Sequence, residues 1–410
     1  MSKTGLALLR NRVVQAILLS GVFLQIGIWV RNFAVLLYVV EMTGEDPFAV
    51  SMVSVAEFAP IFLFSFIGGT FADRWRPKRT MIWCEFLSAL SVFAVLLTLM
   101  AGSWQAVFFS MFFSAILSQF SQPSGLKLFK LHVAGDQVQE AMSLYQTVFS
   151  VFMVFGPILG TFIFQAFGIY LSLAVTGLAF LLSAAALLVL LPEKDPHETT
   201  RIQSAVRKEM VEGVRYVLAN RSLTLLGACF LAAGLGLGVI QPLGVFLVTE
   251  RLGLAKESLQ WLLTAYGIGT ILGGFLTMNL ASRLAPQKLL VVGMFFDALG
   301  MVITGVSTVP WLTILAHLLS GLSLPSIVTG INTMILQNTE TDFVGRVNGI
   351  LNPLFTGAMV VTMSAAGLLK QWFPLVALYI AAGACFFVGL LFILPLYNLP
   401  AVGKELSSQS

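Results

Sequence analysis

Four ionisable residues fall inside long apolar runs of this 410-residue chain: Arg31, Glu57, Glu85 and Asp297. A charge set in hydrocarbon costs several kcal/mol on insertion scales, so such side chains tend to be kept for a purpose. Arg31 precedes Gly44 by 13 residues and Glu57 follows it by 13. With Gly44 at the apex of a loop, both lie at one depth, roughly 14 Å in from the helix ends at about 1.5 Å rise per residue. A nearby guanidinium favours an ionised carboxylate and apolar isolation disfavours it, so a pair that can separate makes a proton switch. A pair that cannot separate is a structural ion pair, and one sequence does not tell whether the two face each other. Asp297 is the second candidate for proton coupling. Glu85 lies only a few residues into its own run, within reach of the membrane boundary or Arg79, and reads first as structural.

The elements that hold these residues follow from composition. Hydrophobic residues make up 58% of the chain and charged residues 10%, against about a quarter charged in soluble domains, and the mean hydropathy is +0.92. The chain is an integral membrane protein whose surroundings are the lipid bilayer, and its net charge of +4 is not a nucleic-acid signal. Apolar windows of about 20 residues, the length needed to cross hydrocarbon, occur twelve times. They run over 13–40, 48–72, 80–100, 104–128, 140–166, 168–191, 223–248, 258–282, 288–307, 310–336, 345–369 and 373–397. The first follows Lys3, Arg10 and Arg12 but is too long for a signal-peptide core, so it reads as a retained helix.

Basic residues give the orientation. With the N-terminus inside, the inner segments hold 19 Lys and Arg residues and the outer loops hold three, Arg251, Lys256 and Lys370. That asymmetry predicts cytoplasmic termini. The one long hydrophilic stretch divides the chain into an N-terminal six-helix bundle over 1–191, a linker over 192–222 and a C-terminal bundle with a short cytoplasmic tail over 223–410. In the linker, Val206, Met210, Val214 and Val217 recur at helical spacing among charged residues. This predicts an amphipathic helix along the inner face, or else a simple tether.

The halves repeat. Asn11-Arg12 and Glu41-Met42-Thr43-Gly44 recur as Asn220-Arg221 and Glu250-Arg251-Leu252-Gly253 at an offset of 209, and Asp136 answers Asp342 at 206. A parallel repeat of two six-helix bundles is the architecture in which one half rocks against the other around a site near mid-membrane.

Between the second and third spans stands Gly68-Gly69-Thr70-Phe71-Ala72-Asp73-Arg74-Trp75-Arg76-Pro77-Lys78-Arg79. A Gly four residues before Asp-Arg, followed by a basic pair, resembles the loop between the second and third helices of major facilitator superfamily transporters. In the fifth span, Gly156-Pro157-Ile158-Leu159-Gly160 is similar to that superfamily's antiporter motif, with Phe152 and Thr161 where the fuller motif has Gly. Glu212 to Leu218 and Gly345-Arg346-Val347 resemble its macrolide-efflux and enterobactin-exporter branch.

The resemblance implies an all-α fold of twelve transmembrane helices in two pseudo-symmetric bundles. By it, Gly69, Asp73, Arg74, Lys78 and Arg79 form a latch that closes the inner side, and the equivalent place in the second half, from Gly273-Gly274 to Arg283, lacks the Asp-Arg pair. It implies a drug:proton antiporter of a bacterial inner membrane, exporting an amphipathic organic solute, with a siderophore-like secreted metabolite as the alternative cargo. Arg31, Glu57 and Asp297 are then the proton-coupling residues. Gln25, Asn32, Gln119, Gln122, Gln146, Gln241, His317, Asn332 and Asn352 are candidates for a large, mostly apolar substrate cavity, each also readable as a helix–helix hydrogen bond.

No cofactor, metal or nucleic-acid partner is expected, and a monomer is. A membrane enzyme is disfavoured because His132, His197 and His317 are scattered and no metal-ligand spacing occurs. Cys84, Cys229 and Cys385 stand alone in apolar runs and read as small core residues.

Overall fold

The computed structural model describes residues 11–133, 137–188, 206–340 and 343–397, apart from the side chains of 65–74, 130, 132, 206–209 and 397. Every element among these residues is helical. The chain forms two compact units, Met1–Thr199 and Thr200–Ser410.

The first unit holds α1 (Arg12–Thr43), α2 (Pro47–Arg74), α3 (Pro77–Met100) and α4 (Val107–His132). The helical stretch Val138–Leu188 follows, and non-helical backbone at Gly168 (φ 73°) divides it into α5 (138–167) and α6 (169–188). The second unit opens with α7 (Val206–Ala219), followed by α8 (Arg221–Ile240), α9 (Leu259–Ala281), α10 (Pro286–Val306), α11 (Pro310–Gln337), α12 (Val344–Trp372) and α13 (Leu375–Ile393). Leaving out α7, each unit has six long helices.

Ten described helical stretches are apolar enough to span a membrane by length and composition, the α5–α6 stretch counting once. The long helix not among them is α4, whose second half carries Ser118, Gln119, Ser121, Gln122 and Ser124.

Capping chemistry explains the internal repeat. Asn11 Oδ1 accepts from Val13 N at 2.9 Å, and Asn220 Oδ1 accepts from Ser222 N at 2.9 Å. Each Asn thus satisfies a first-turn N–H that has no partner within its helix. Gly44 and Gly253 share the left-handed conformation, φ 61° and 64°, which a residue without Cβ adopts at little cost. Asp136 and Asp342, the other repeat pair, lie outside the described residues.

One difference between the halves is large. α1 runs unbroken to Thr43, whereas the helical run after α8 passes through a 3-10 turn at Gln241–Leu243 and a π-turn at Leu247–Arg251. Pro242, which has no N–H to give, stands in the first of these turns.

Lipid tails are as apolar as Leu, so helices in a bilayer associate through close backbone approach and polar pairs. In the first unit, Ser20 Oγ meets Ser183 Oγ at 2.8 Å between α1 and α6, over a core of Ala34, Leu37, Val92, Leu173 and Phe180. In the second, Thr277 Oγ1 meets Ser326 Oγ at 2.8 Å between α9 and α11. Gly273 presses on the carbonyl of Leu322, while Gly274 beside it has open space.

α7 is docked to its own unit. Glu212 Oε2 pairs with Arg346 Nη1 at 3.1 Å, Tyr216 stacks on Phe343 with centroids 4.3 Å apart, and Asn220 Nδ2 donates to Asn338 O at 3.1 Å. The two stretches that resembled one exporter branch are therefore in contact.

Candidate functional site in the first bundle

Arg31 on α1 is 3% exposed, and Glu57 on α2 is half-buried. Their side chains turn toward one another, but the link is indirect. Arg31 Nε and Nη2 donate to Asn32 Oδ1 at 3.1 and 2.9 Å, and Asn32 Nδ2 donates to Glu57 Oε1 at 2.7 Å. Arg31 Nη1 reaches the Ser110 carbonyl on α4 at 3.4 Å. The expected pair is thus a relay through Asn32. Its amide is oriented by charge, the acceptor oxygen toward the guanidinium and the donor nitrogen toward the carboxylate.

Local structure sets this geometry. Pro60 lies one turn beyond Glu57 inside α2 and frees the Ala56 carbonyl from its helical bond. On the far side of α1, a Cβ at Gly156 would run into the Trp29 ring, and one at Gly160 would lie 2.6 Å from Trp29 O and 2.8 Å from Phe33 Cβ. Trp29 and Phe33 stack with centroids 6.1 Å apart. Gly156, Pro157 and Gly160 therefore pack α5 closely against the turn of α1 that carries Arg31 and Asn32.

Removing the relay has a testable cost. Asn32→Ala leaves two buried donors of Arg31 without a partner, and each such loss costs about 1–3 kcal/mol. The purified variant is expected to melt several degrees below the parent in detergent, and an unchanged melting temperature would show that Asn32 does not hold the guanidinium.

Glu85 is 3% exposed and accepts from Ser121 Oγ of α4 at 2.8 Å. It does not reach Arg79, which is exposed, so the carboxyl belongs to the bundle interior. Asp297 on α10 is 7% exposed and faces Ser320 of α11. Each bundle thus buries a carboxyl on its third long helix. The sequence placed Glu85 among the ionisable residues of the apolar runs and read it first as structural, but its serine partner, 36 residues away, was not legible there.

α2 remains helical through Arg74 and α3 begins at Pro77, so little of the charged burst is loop. The side chains of Gly69's neighbours Asp73 and Arg74 lie outside the described residues. Lys78 Nζ donates to Leu188 O at 3.5 Å, placing a cation at the C-terminal end of α6 where the helix dipole favours it.

Of the polar candidates besides Asn32, Gln25 is buried and Gln119 partly so, while Gln122, Gln146, Gln241, Asn332 and Asn352 are exposed. His317 Nδ1 lies 3.0 Å from Thr313 O of its own helix. Among the described residues no three His, Cys, Asp or Glu side chains converge as a metal site.

The fold and these motifs have known relatives. The chain is 24% identical over 412 residues to the uncharacterized MFS-type transporter YkuC of Bacillus subtilis, covering 96% of this chain and 95% of that one. It is 27% identical over 346 residues to the multidrug efflux pump Tap of Mycolicibacterium fortuitum, covering 81% and 83%. The crystal structure of the nucleoside transporter NupG superposes with a TM-score of 0.75 at 14% identity, covering 94% of this chain and all of that one. Residues 17–248 and 226–409 both match the Major Facilitator Superfamily profile, and with helices of this kind over nearly the whole chain, the protein is a multi-pass membrane protein that belongs to the Major Facilitator Superfamily, a family of transporters.

Proposed function

We propose that this protein is a secondary active exporter of amphipathic organic solutes, working by alternating access with proton antiport. The observation that carries the reading is the Arg31–Asn32–Glu57 relay: a carboxylate within a membrane bundle, tethered to a buried cation through a neutral amide. A direct ion pair holds a carboxylate ionised in one tight geometry. An amide bridge leaves Glu57 Oε2 free and lets the carboxyl take up a proton without dismantling the guanidinium's contacts. Export rather than uptake is supported by the Gly156-Pro157-Ile158-Leu159-Gly160 motif and by similarity to Tap, which is named a multidrug efflux pump.

In this reading residues 1–191 and 223–410 are the rocking bundles and 192–222 the link between them, with both termini cytoplasmic in a bacterial inner membrane. Asp73, Arg74, Lys78 and Arg79 serve as the inner latch, with Gly69 allowing close approach. Gln25, Gln119, Gln122, Gln146, Gln241, His317, Asn332 and Asn352 contribute polar contacts to the solute's path. Asp297 is a second proton-binding candidate, and the working unit is a monomer.

The test is flux in proteoliposomes holding the purified protein, with a panel of cationic, neutral and zwitterionic amphipaths and a siderophore. Transport of at least one amphipath that accelerates with an opposing proton gradient is expected. Flux indifferent to the gradient for every transported compound would overturn antiport.

A further inference from the structure

The helix α7 has two unlike sides. Glu212, Gly213, Tyr216 and Val217 form the docked one. Glu212 pairs with Arg346, a Cβ on Gly213 would lie 3.3 Å from that residue's Cβ, Tyr216 Oη accepts from Glu340 N at 3.2 Å, and Val217 is 6% exposed. The other side carries Val211, Val214 and Leu218, exposed by 60%, 41% and 67%. Spacings of three and four put these three apolar side chains in one stripe. Arg215 is exposed next to the stripe and Arg221 is exposed at the start of α8; neither makes an ion pair among the described residues.

Depth follows from what α7 touches. It leads through Asn220 into the first turn of α8, and its docked side meets the end of α11 and the start of α12. Ends of spanning helices mark the level where hydrocarbon gives way to headgroups. An apolar stripe and two exposed guanidinium groups at that level match an interfacial helix on an anionic surface. A cation near such a surface is held by its negative potential.

We propose that α7 is a lipid-binding helix, with Val211, Val214 and Leu218 seated at the hydrocarbon edge and Arg215 and Arg221 holding the headgroups of anionic phospholipids. This rests on the protein being a membrane protein and is independent of what it transports. Because Glu212 ties α7 to the first turns of α12, lipid bound here bears on the entry of that helix.

The experiment uses the full-length protein with Cys84, Cys229 and Cys385 replaced by Ala and a spin label at Val214→Cys or Leu218→Cys. The protein is reconstituted in phosphatidylcholine, alone or mixed with phosphatidylglycerol. Both labels are expected to collide with oxygen and to be shielded from a water-soluble nickel chelate, more strongly with phosphatidylglycerol. Adding Arg215→Gln and Arg221→Gln, which leaves the Glu212–Arg346 pair in place, should remove only the phosphatidylglycerol-dependent part. Labels open to nickel in both lipids would overturn the proposal and leave the stripe to a soluble partner. Shielding that rises with protein density would assign it to a second copy, and shielding indifferent to phosphatidylglycerol would exclude anionic headgroups.

Discussion

Glu57→Gln is expected to abolish accumulation driven by a pH gradient while leaving exchange of solute across the membrane intact. If one proton is returned per solute, a gradient of about one pH unit supplies about 1.4 kcal/mol, which sustains a concentration ratio of about tenfold. The variant should bring that ratio to unity, because no titrating group then links the two flows. The structure makes this substitution informative. Asn32 Nδ2 donates to Glu57 Oε1, and a glutamine carbonyl can accept the same bond, so the relay keeps its shape and loses only its proton. A purely structural Glu57 predicts the reverse, reduced stability with coupling intact in the protein that survives. Measuring gradient-driven efflux beside exchange in the same liposomes separates the two. Retained accumulation would move the coupling role to Asp297 or Glu85.

The second large effect concerns packing. Gly160→Ala is expected to destabilise the first bundle by about 1–3 kcal/mol, the usual cost of forcing a methyl group into a filled space. The new Cβ would fall 2.6 Å from the Trp29 carbonyl, a backbone atom that cannot swing aside, and 2.8 Å from Phe33 Cβ. Gly274→Ala is the matched control, because a Cβ there meets nothing within 4 Å. Alanine in place of an unconstrained helical glycine is neutral or mildly stabilising. Thermal unfolding of the two purified variants should therefore diverge, and equal melting temperatures would refute the close approach of α5 to α1. The same displacement of Trp29 would disturb Arg31 and Asn32, so whatever Gly160→Ala protein folds should also show impaired coupling.

What the sequence determined by itself was whatever a helix carries along its own length. Hydropathy located the spans because a bilayer of fixed thickness demands a long apolar run, and the repeats at Asn11 and Asn220 and at Gly44 and Gly253 were visible because capping is local chemistry. The loop motif marked the join of α2 and α3, though α2 continues helically through residues that read as loop. Equal depth for Arg31 and Glu57 could be counted from residue numbers.

Only the tertiary structure decided what those residues bind. Rotation of each helix about its axis fixes which side chains meet, and neither hydropathy nor spacing records it, since lipid offers no preferred side to an all-apolar helix. So Asn32, noted as a possible cavity residue, proved to stand between Arg31 and Glu57, and Glu85 turned from the membrane boundary to Ser121. Within the linker stretch, α7 is held against its own unit through Glu212 and Arg346, which are 134 residues apart in the chain and 3.1 Å apart in the fold.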